Sequence, residues 1–273
     1  MSVYSNLHTH TTYCHGTNSP REMVEAAIAK GFRSLGFSGH AYTPFDTSYC
    51  MTPTGTLAYQ SEVRRLQEQY AGRMDIFLGL ENDAAHPQPV DGYDFIIGSA
   101  HYIPVNGQYC AVDNTPELLR ACVDEHFGGN GLRAAQAYYR EVAAYAQTGK
   151  MDILGHFDIV TKFNAGNRFF NADSPAYRHT ALESLEAAAK SGVIFEINTG
   201  AMARGFTKAP YPAPFLLKRL LELKAPVILS SDAHAAAHLD AHFAMAISLL
   251  RDIGFTQVME LKRGSGFVPV PLV

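Results

Sequence analysis

The sequence predicts an α/β protein: a TIM-like barrel of parallel strands, closed or nearly closed, with a metal site at the C-terminal ends of the strands. Three observations carry this. Short apolar runs alternate with amphipathic segments, strand then helix, about seven times, which is the rhythm of a parallel sheet whose connections are helices. Nearly every apolar run ends at or close to a His, Glu or Asp, and in such barrels chemistry sits at the strand C-termini. The chain has 273 residues, a size that these barrels reach as one domain, so residues 1–273 are read as a single unit. An open doubly wound sheet is the runner-up. It would gather its site at one crevice instead of using nearly every strand.

The strands and helices follow in order. Tyr4–Leu7 reads as a short strand. Side chains two apart on a strand share a face, so His8 and His10 project together from its end, and a loop delivers His15. Ser19-Pro20-Arg21-Glu22 opens a helix, with Ser19 as cap and Glu22 completing a capping box, and Gly31 stops it. Ser34–Phe37 is a second strand, followed by Ser38-Gly39-His40. Leu57–Tyr70 has helical spacing at Val63, Leu66 and Tyr70. Asp75–Leu80 is a third strand finishing at Glu81, and Phe95–Gly98 is a fourth leading to His101.

A longer insertion comes next. It holds one helix from Thr115-Pro116 to about Phe127 and another from Leu132 to Gln147. Ile153–His156 is a fifth strand with its own terminal histidine. Ser174-Pro175 opens a helix to Lys190, Val193–Ile197 is a sixth strand ending at Asn198, and Pro214–Leu223 is helical. Val227–Ser231 is a seventh strand running into Asp232-Ala233-His234, and Asp240–Asp252 is the last clear helix. Val258–Leu261 reads as a short final strand, and the proline-broken tail after Gly264 as irregular structure.

Composition narrows the function. Hydrophobic residues make up 47% and charged residues 18%, which supplies a sizeable core and excludes disorder. The formal net charge of −4 offers no footprint for nucleic acid, yet leaves room for a small anion held by a local metal cluster. Cys14, Cys50, Cys110 and Cys122 show no C-x-x-C spacing and read as reduced thiols. No signal-peptide pattern and no apolar run near the ~20 residues of a membrane span is present. The expected location is therefore the cytoplasm, with no membrane partner. No glycine-rich phosphate loop of the nucleotide-binding types occurs either.

The strand ends collect nine candidate metal ligands: His8, His10, His15, His40, Glu81, His101, His156, Asp232 and His234. Any one of these taken alone is ordinarily a packed or capping side chain. Nine desolvated imidazoles and carboxylates converging at one end need a strong partner. Two His two apart on a strand, with a third nearby, suit a metal such as zinc. Nine ligands exceed one ion and fit two or three divalent transition metals (zinc, iron or manganese), with Glu81 as the candidate bridge. His86, His126, His179, His238 and His242 fall in loops or helices and read as ordinary.

These motifs resemble the PHP (polymerase and histidinol phosphatase) superfamily. The matching stretches are His8-Thr9-His10, Cys14-His15-Gly16, Ser38-Gly39-His40, Gly79-Leu80-Glu81, Gly98-Ser99-Ala100-His101, Gly155-His156 and Ser231-Asp232-Ala233-His234. The resemblance implies a distorted (β/α)7 barrel with a trinuclear centre. His8, His10, Glu81 and Asp232 would hold one metal, Glu81, His101 and His156 a second, and His15, His40 and His234 a third. Within the superfamily the pattern is similar to the stand-alone histidinol-phosphate phosphatases, through His101-Tyr102-Ile103, Glu196-Ile197-Asn198-Thr199, Arg204-Gly205 and Tyr211-Pro212. In one departure, that group usually carries an acid just before the histidine of the second strand, where this chain has Gly39. The expected effect is a loosened or retuned third metal. The loop from His10 to His15 is also one residue shorter than in some members.

The expected activity is a metal-dependent phosphomonoesterase on a small phosphorylated substrate, most closely histidinol-phosphate phosphatase. The resemblance implies in-line attack by a metal-bridging hydroxide. Glu81, Asp232 and His234 are the candidate catalytic residues, with Asp232 or His234 helping to protonate the leaving alkoxide. Arg204 and Lys162 are candidates for steadying the phosphate. The alternatives are a PHP-type nuclease or nucleotide phosphodiesterase, which should show a basic aromatic path absent from this sequence, and a non-catalytic metal-binding barrel. Oligomeric state is not readable from the sequence.

Overall fold

The computed structural model describes residues 5–272. In chain order the elements are β1 (Ser5–Asn6), α1 (Pro20–Ala29), β2 (Ser34–Phe37), α2 (Pro53–Gln69), β3 (Asp75–Asp83) and β4 (Phe95–Ser99). Then come β5 (Tyr102–Val105), β6 (Gln108–Ala111), α3 (Pro116–Phe127), α4 (Gly131–Ala146), β7 (Ile153–Leu154), α5 (Pro175–Ala189) and β8 (Ile194–Asn198). The chain ends with α6 (Gly200–Ala203), α7 (Pro214–Glu222), β9 (Val227–Ser230), α8 (Phe243–Ile253), β10 (Gln257–Lys262) and β11 (Gly266–Pro271). Helices α1, α2, α3 and α5 start alike: proline in the first turn behind a Ser or Thr whose side chain accepts a backbone N–H. That placement uses a proline where its missing donor costs nothing. The Ser19–Glu22 capping box is formed. Among the described residues no helix is long and apolar enough to cross a membrane.

The sheet order is β1-β2-β3-β4-β7-β8-β9, and every pairing is parallel. Thr9 also pairs with Ala233 just past β9. His10 N donates to Ala233 O at 2.8 Å, and Ala233 N donates to His8 O at 3.1 Å. These bonds bring the first strand back to the last, so the sheet is a nearly closed barrel and the open doubly wound alternative is excluded.

The barrel interior changes from apolar to polar along its axis. Leu7, Phe77, Phe95, Ile97, Ile153, Ile194 and Ile228 pack inside, closed off by Leu261 of β10. Phe95 fills the axis because glycine stands opposite it. A Cβ at Gly79 would lie 2.2 Å from Phe95 Cζ, and one at Gly36 2.8 Å. Two residues further along their strands, the same inward face carries Glu81 after Gly79, Ser99 after Ile97, Glu196 after Ile194 and Ser230 after Ile228. All four are buried. The floor of the site is therefore set by strand alternation.

Several boundaries differ from the sequence expectation, each for a local reason. Tyr4 lies outside the described residues, and β1 covers only Ser5–Asn6. β2 and β3 hold their predicted places, but β3 continues past Glu81 because Asp83 still pairs with Ser99. α2 begins at Pro53 instead of Leu57, since Thr52 caps it. The last helix starts at Phe243 instead of Asp240 because His242 has φ 60°, outside the helical region. The tail after Gly264 is not irregular: β11 pairs antiparallel with β10, with Pro269 opposite Met259 and Pro271 opposite Gln257. The two prolines are two apart, so their missing donors fall on the same open edge of this two-stranded sheet. The insertion after β4 holds an unforeseen hairpin. Its Asn106-Gly107 turn, with φ 51° and 77°, is the dipeptide that two-residue hairpins favour.

Candidate metal centre

Glu81 stands on β3 with one carboxylate oxygen toward each of two imidazole sets. Its Oε2 lies 3.2 Å from His8 Nε2, 3.4 Å from His10 Nε2 and 2.9 Å from His40 Nδ1. Its Oε1 lies 3.0 Å from His156 Nε2 and 3.4 Å from His101 Nε2. Asp232 Oδ1 approaches His10 Nε2 at 3.1 Å and His8 Nε2 at 3.6 Å. Donor atoms of His10, His15, His40 and His234 all fall within 4.8 Å of one another. The structure thus brings together all nine residues singled out in the sequence, from five strand ends and the loop after β1. Asp232 takes up φ 48°, a conformation uncommon outside glycine that aims its carboxylate at His10.

Neighbouring oxygens fix the rings. Glu196 Oε1 is 2.6 Å from His8 Nδ1, and Asp83 Oδ2 is 2.7 Å from His101 Nδ1. Backbone carbonyls do the same for His15 (Tyr49 O, 3.2 Å) and His234 (Asp232 O, 2.9 Å). Such partners set the tautomer and leave the other nitrogen for a metal. Gly39 brings no side chain to His40, whose Nδ1 faces Glu81 itself. Asp83 and Glu196 were not singled out as partners from the sequence. Their signals were strand alternation for Asp83, two past Glu81, and a carboxylate inside an apolar strand for Glu196.

His8 Nε2, His10 Nε2 and Glu81 Oε2 are buried and make no hydrogen bond despite their proximity. Unpaired buried groups of this kind are costly unless a cation collects them. The donor set, imidazole nitrogens with two carboxylates, fits divalent transition metals. Electrostatics agree at three of the rings and at both carboxylates. Burial, reinforced by His234 and His40, holds His10 well below the usual imidazole range. Burial and the neighbouring histidines push His15 down to about 3, and burial, ahead of Arg204 and His40, takes His234 down to about 4. Burial opposes charge on Glu81, but His40 and His8 keep it ionised. Burial likewise opposes Asp232, and Arg204 and His8 prevail. At His10, His15 and His234, neutral imidazoles beside ionised carboxylates are the protonation states that metal ligation requires, whereas at His8 and His101 burial is outweighed by the surrounding carboxylates, which favour the charged ring, with His101 raised to about 10.

The cluster floors a cavity of about 440 Å³. Arg204 and Lys162 both line it. Arg204 Nη2 lies 3.0 Å from Asp232 Oδ2, and its Nη1 3.1 Å from His234 Nδ1, so the guanidinium borders the cluster. Lys162 is tied elsewhere. Its Nζ donates to Asp113 O at 2.6 Å and sits over the rings of Phe163 and Phe206. Tyr49, Tyr102, Asp46 and Asp113 complete much of the wall.

The model of the PHP domain matches residues 6–200. A Deinococcus radiodurans protein named as a probable histidinol-phosphatase is 34% identical, across 93% of this chain and 95% of its own. The Bacillus subtilis histidinol-phosphatase is 28% identical, across 84% of this chain and 92% of its own. The fold matches a crystal structure of histidinol phosphate phosphatase from Lactococcus lactis, complexed with zinc, L-histidinol and phosphate. The TM-score is 0.69 at 21% identity, covering 94% of this chain and 95% of that one.

Proposed function

The chain belongs to the PHP domain family, and from that premise we propose that it is a metal-dependent phosphomonoesterase converting L-histidinol phosphate and water to L-histidinol and phosphate, a step of histidine biosynthesis. The observation that carries the reading is the Glu81 carboxylate set between two groups of imidazoles, with Arg204 alongside. The relatives named for this activity supply the substrate.

Two or three divalent ions (zinc, iron or manganese) would be held here. His8, His10, Glu81 and Asp232 form one set, Glu81, His101 and His156 a second, and His15, His40 and His234 a third. When bound, such ions supply Lewis acidity toward phosphoryl oxygens and lower the pKa of coordinated water toward ~7. The chain's own groups do the rest. Glu196 and Asp83 hold His8 and His101 in register. Arg204 offers a planar pair of donors to the phosphate oxygens, whereas Lys162, bonded to Asp113 O, adds only a more distant positive charge. Asp232 or His234, at the edge of the cluster, would relay a proton from cavity water to the departing alkoxide. The four unbridged cysteines support a reducing, cytoplasmic setting.

The test is elemental analysis of the purified protein paired with phosphate release from L-histidinol phosphate. The expected result is more than one metal equivalent per chain, activity lost to chelator and restored by divalent metal. One equivalent or none under metal-replete conditions would overturn the multinuclear reading, and no phosphate release would overturn the substrate.

A further inference from the structure

We propose that Asp113 is a specificity-determining residue whose carboxylate takes the ammonium group of the substrate, with Lys162 positioning it. This rests on the histidinol phosphate reading. That substrate is a phosphate ester at one end and a primary amine on the second carbon from the ester oxygen. The metal-ligand set and Arg204 complement the phosphate. The ammonium then needs an anion on the cavity wall that is not already engaged.

Two carboxylates outside the ligand set line the cavity, Asp46 and Asp113. Asp46 is occupied. Its Oδ2 accepts Tyr102 O–H at 2.9 Å, and its Oδ1 accepts the Ser48 hydroxyl at 2.7 Å and the Ser48 N–H at 3.3 Å. Asp113 is held differently. The short bond from Lys162 Nζ goes to its carbonyl, at 2.6 Å, and only a longer contact of 3.5 Å reaches Oδ2. Among the described residues Oδ1 accepts no hydrogen bond. Lys162 is itself steadied over Phe163 and Phe206, which favours a fixed cation. The lysine therefore pins the backbone of the segment after β6 and leaves a carboxylate edge turned to the cavity. Lys162 reaches the Asp113 carboxylate only at 3.5 Å, so a negative charge faces the cavity without a tight partner. A partly buried carboxylate that meets an ammonium makes a charge-assisted bond, and a substrate without the amine forfeits it.

The experiment compares L-histidinol phosphate with the imidazolyl-propyl phosphate that lacks only the amine. Wild-type enzyme is expected to prefer the amine-bearing ester by roughly 10- to 100-fold in kcat/KM, the range expected for one hydrogen bond to a charged group. Asp113→Asn should remove most of that preference by raising KM for histidinol phosphate. It should leave turnover of the amine-free ester and metal content close to wild type. Asp113→Glu should restore part of the preference. Equal loss on both esters, or an unchanged preference in Asp113→Asn, would overturn the proposal. So would wild-type enzyme that hydrolyses both esters equally well, a measurement that needs no variant to fold. If wild-type enzyme releases no phosphate from histidinol phosphate but hydrolyses other monoesters, the substrate reading fails first, and Asp113 loses its assigned partner with it.

Discussion

Glu196 Oε1 lies 2.6 Å from His8 Nδ1 inside the barrel, and both side chains are fully buried. The same carboxylate accepts the His156 backbone N–H at 2.7 Å through Oε2. One residue of β8 thus fixes a candidate ligand that follows β1 and the backbone of another that follows β7. Burial works against charge on His8, but Glu196, Glu81 and Asp232 outweigh it and raise its pKa well above the ordinary value.

Glu196→Gln should therefore weaken metal binding by roughly 10- to 100-fold, as loss of an orienting partner does in other metal sites. Chelator-competition titration reads the affinity directly. Unchanged affinity would mean that His8 is oriented by packing alone.

Glu81→Gln tests the bridge. Each oxygen of Glu81 faces a different set of imidazoles, so the amide should lower occupancy at both and reduce phosphate release, while circular dichroism stays close to wild type. Near-normal turnover with full metal content would rule out the bridging role.

Arg204→Ala should cost about 2–3 kcal/mol in kcat/KM, the range for losing a charged hydrogen-bonding partner. Lys162→Ala should cost less, because its short bond goes to Asp113 O. Metal content measured on the same samples should be unchanged in both. Full activity or loss of metal in Arg204→Ala would remove it as a phosphate ligand.

Gly79→Ala probes the barrel axis. The new methyl would meet Phe95 Cζ at 2.2 Å, and overpacking of this kind destabilises by about 1–3 kcal/mol. Urea denaturation should show a lower midpoint with an unchanged slope, and adding Phe95→Leu should recover part of the loss. A wild-type midpoint in the single variant would show that the Phe95 ring moves freely.

The barrel and its cluster of candidate ligands were legible in the sequence because they are written locally. Alternation along a strand puts Glu81 two residues after Gly79, and short offsets attach His40, His101, His156 and His234 to the strands before them. The hairpin of β5 and β6 went unread, although Asn106-Gly107 is a local turn signal. Tertiary structure alone decided which groups meet across the barrel. The two faces of the Glu81 carboxylate depend on the neighbours of β3. The orienting role of Glu196 depends on β8 reaching across to the end of β1. The separation of Arg204, at the cluster, from Lys162, on Asp113, depends on where two loops come to rest. Those relations join residues far apart in the chain, 188 positions for His8 and Glu196 and 49 for Asp113 and Lys162. No local spacing encodes them, because they arise only when strand order and the Thr9–Ala233 closure fix the distances through space.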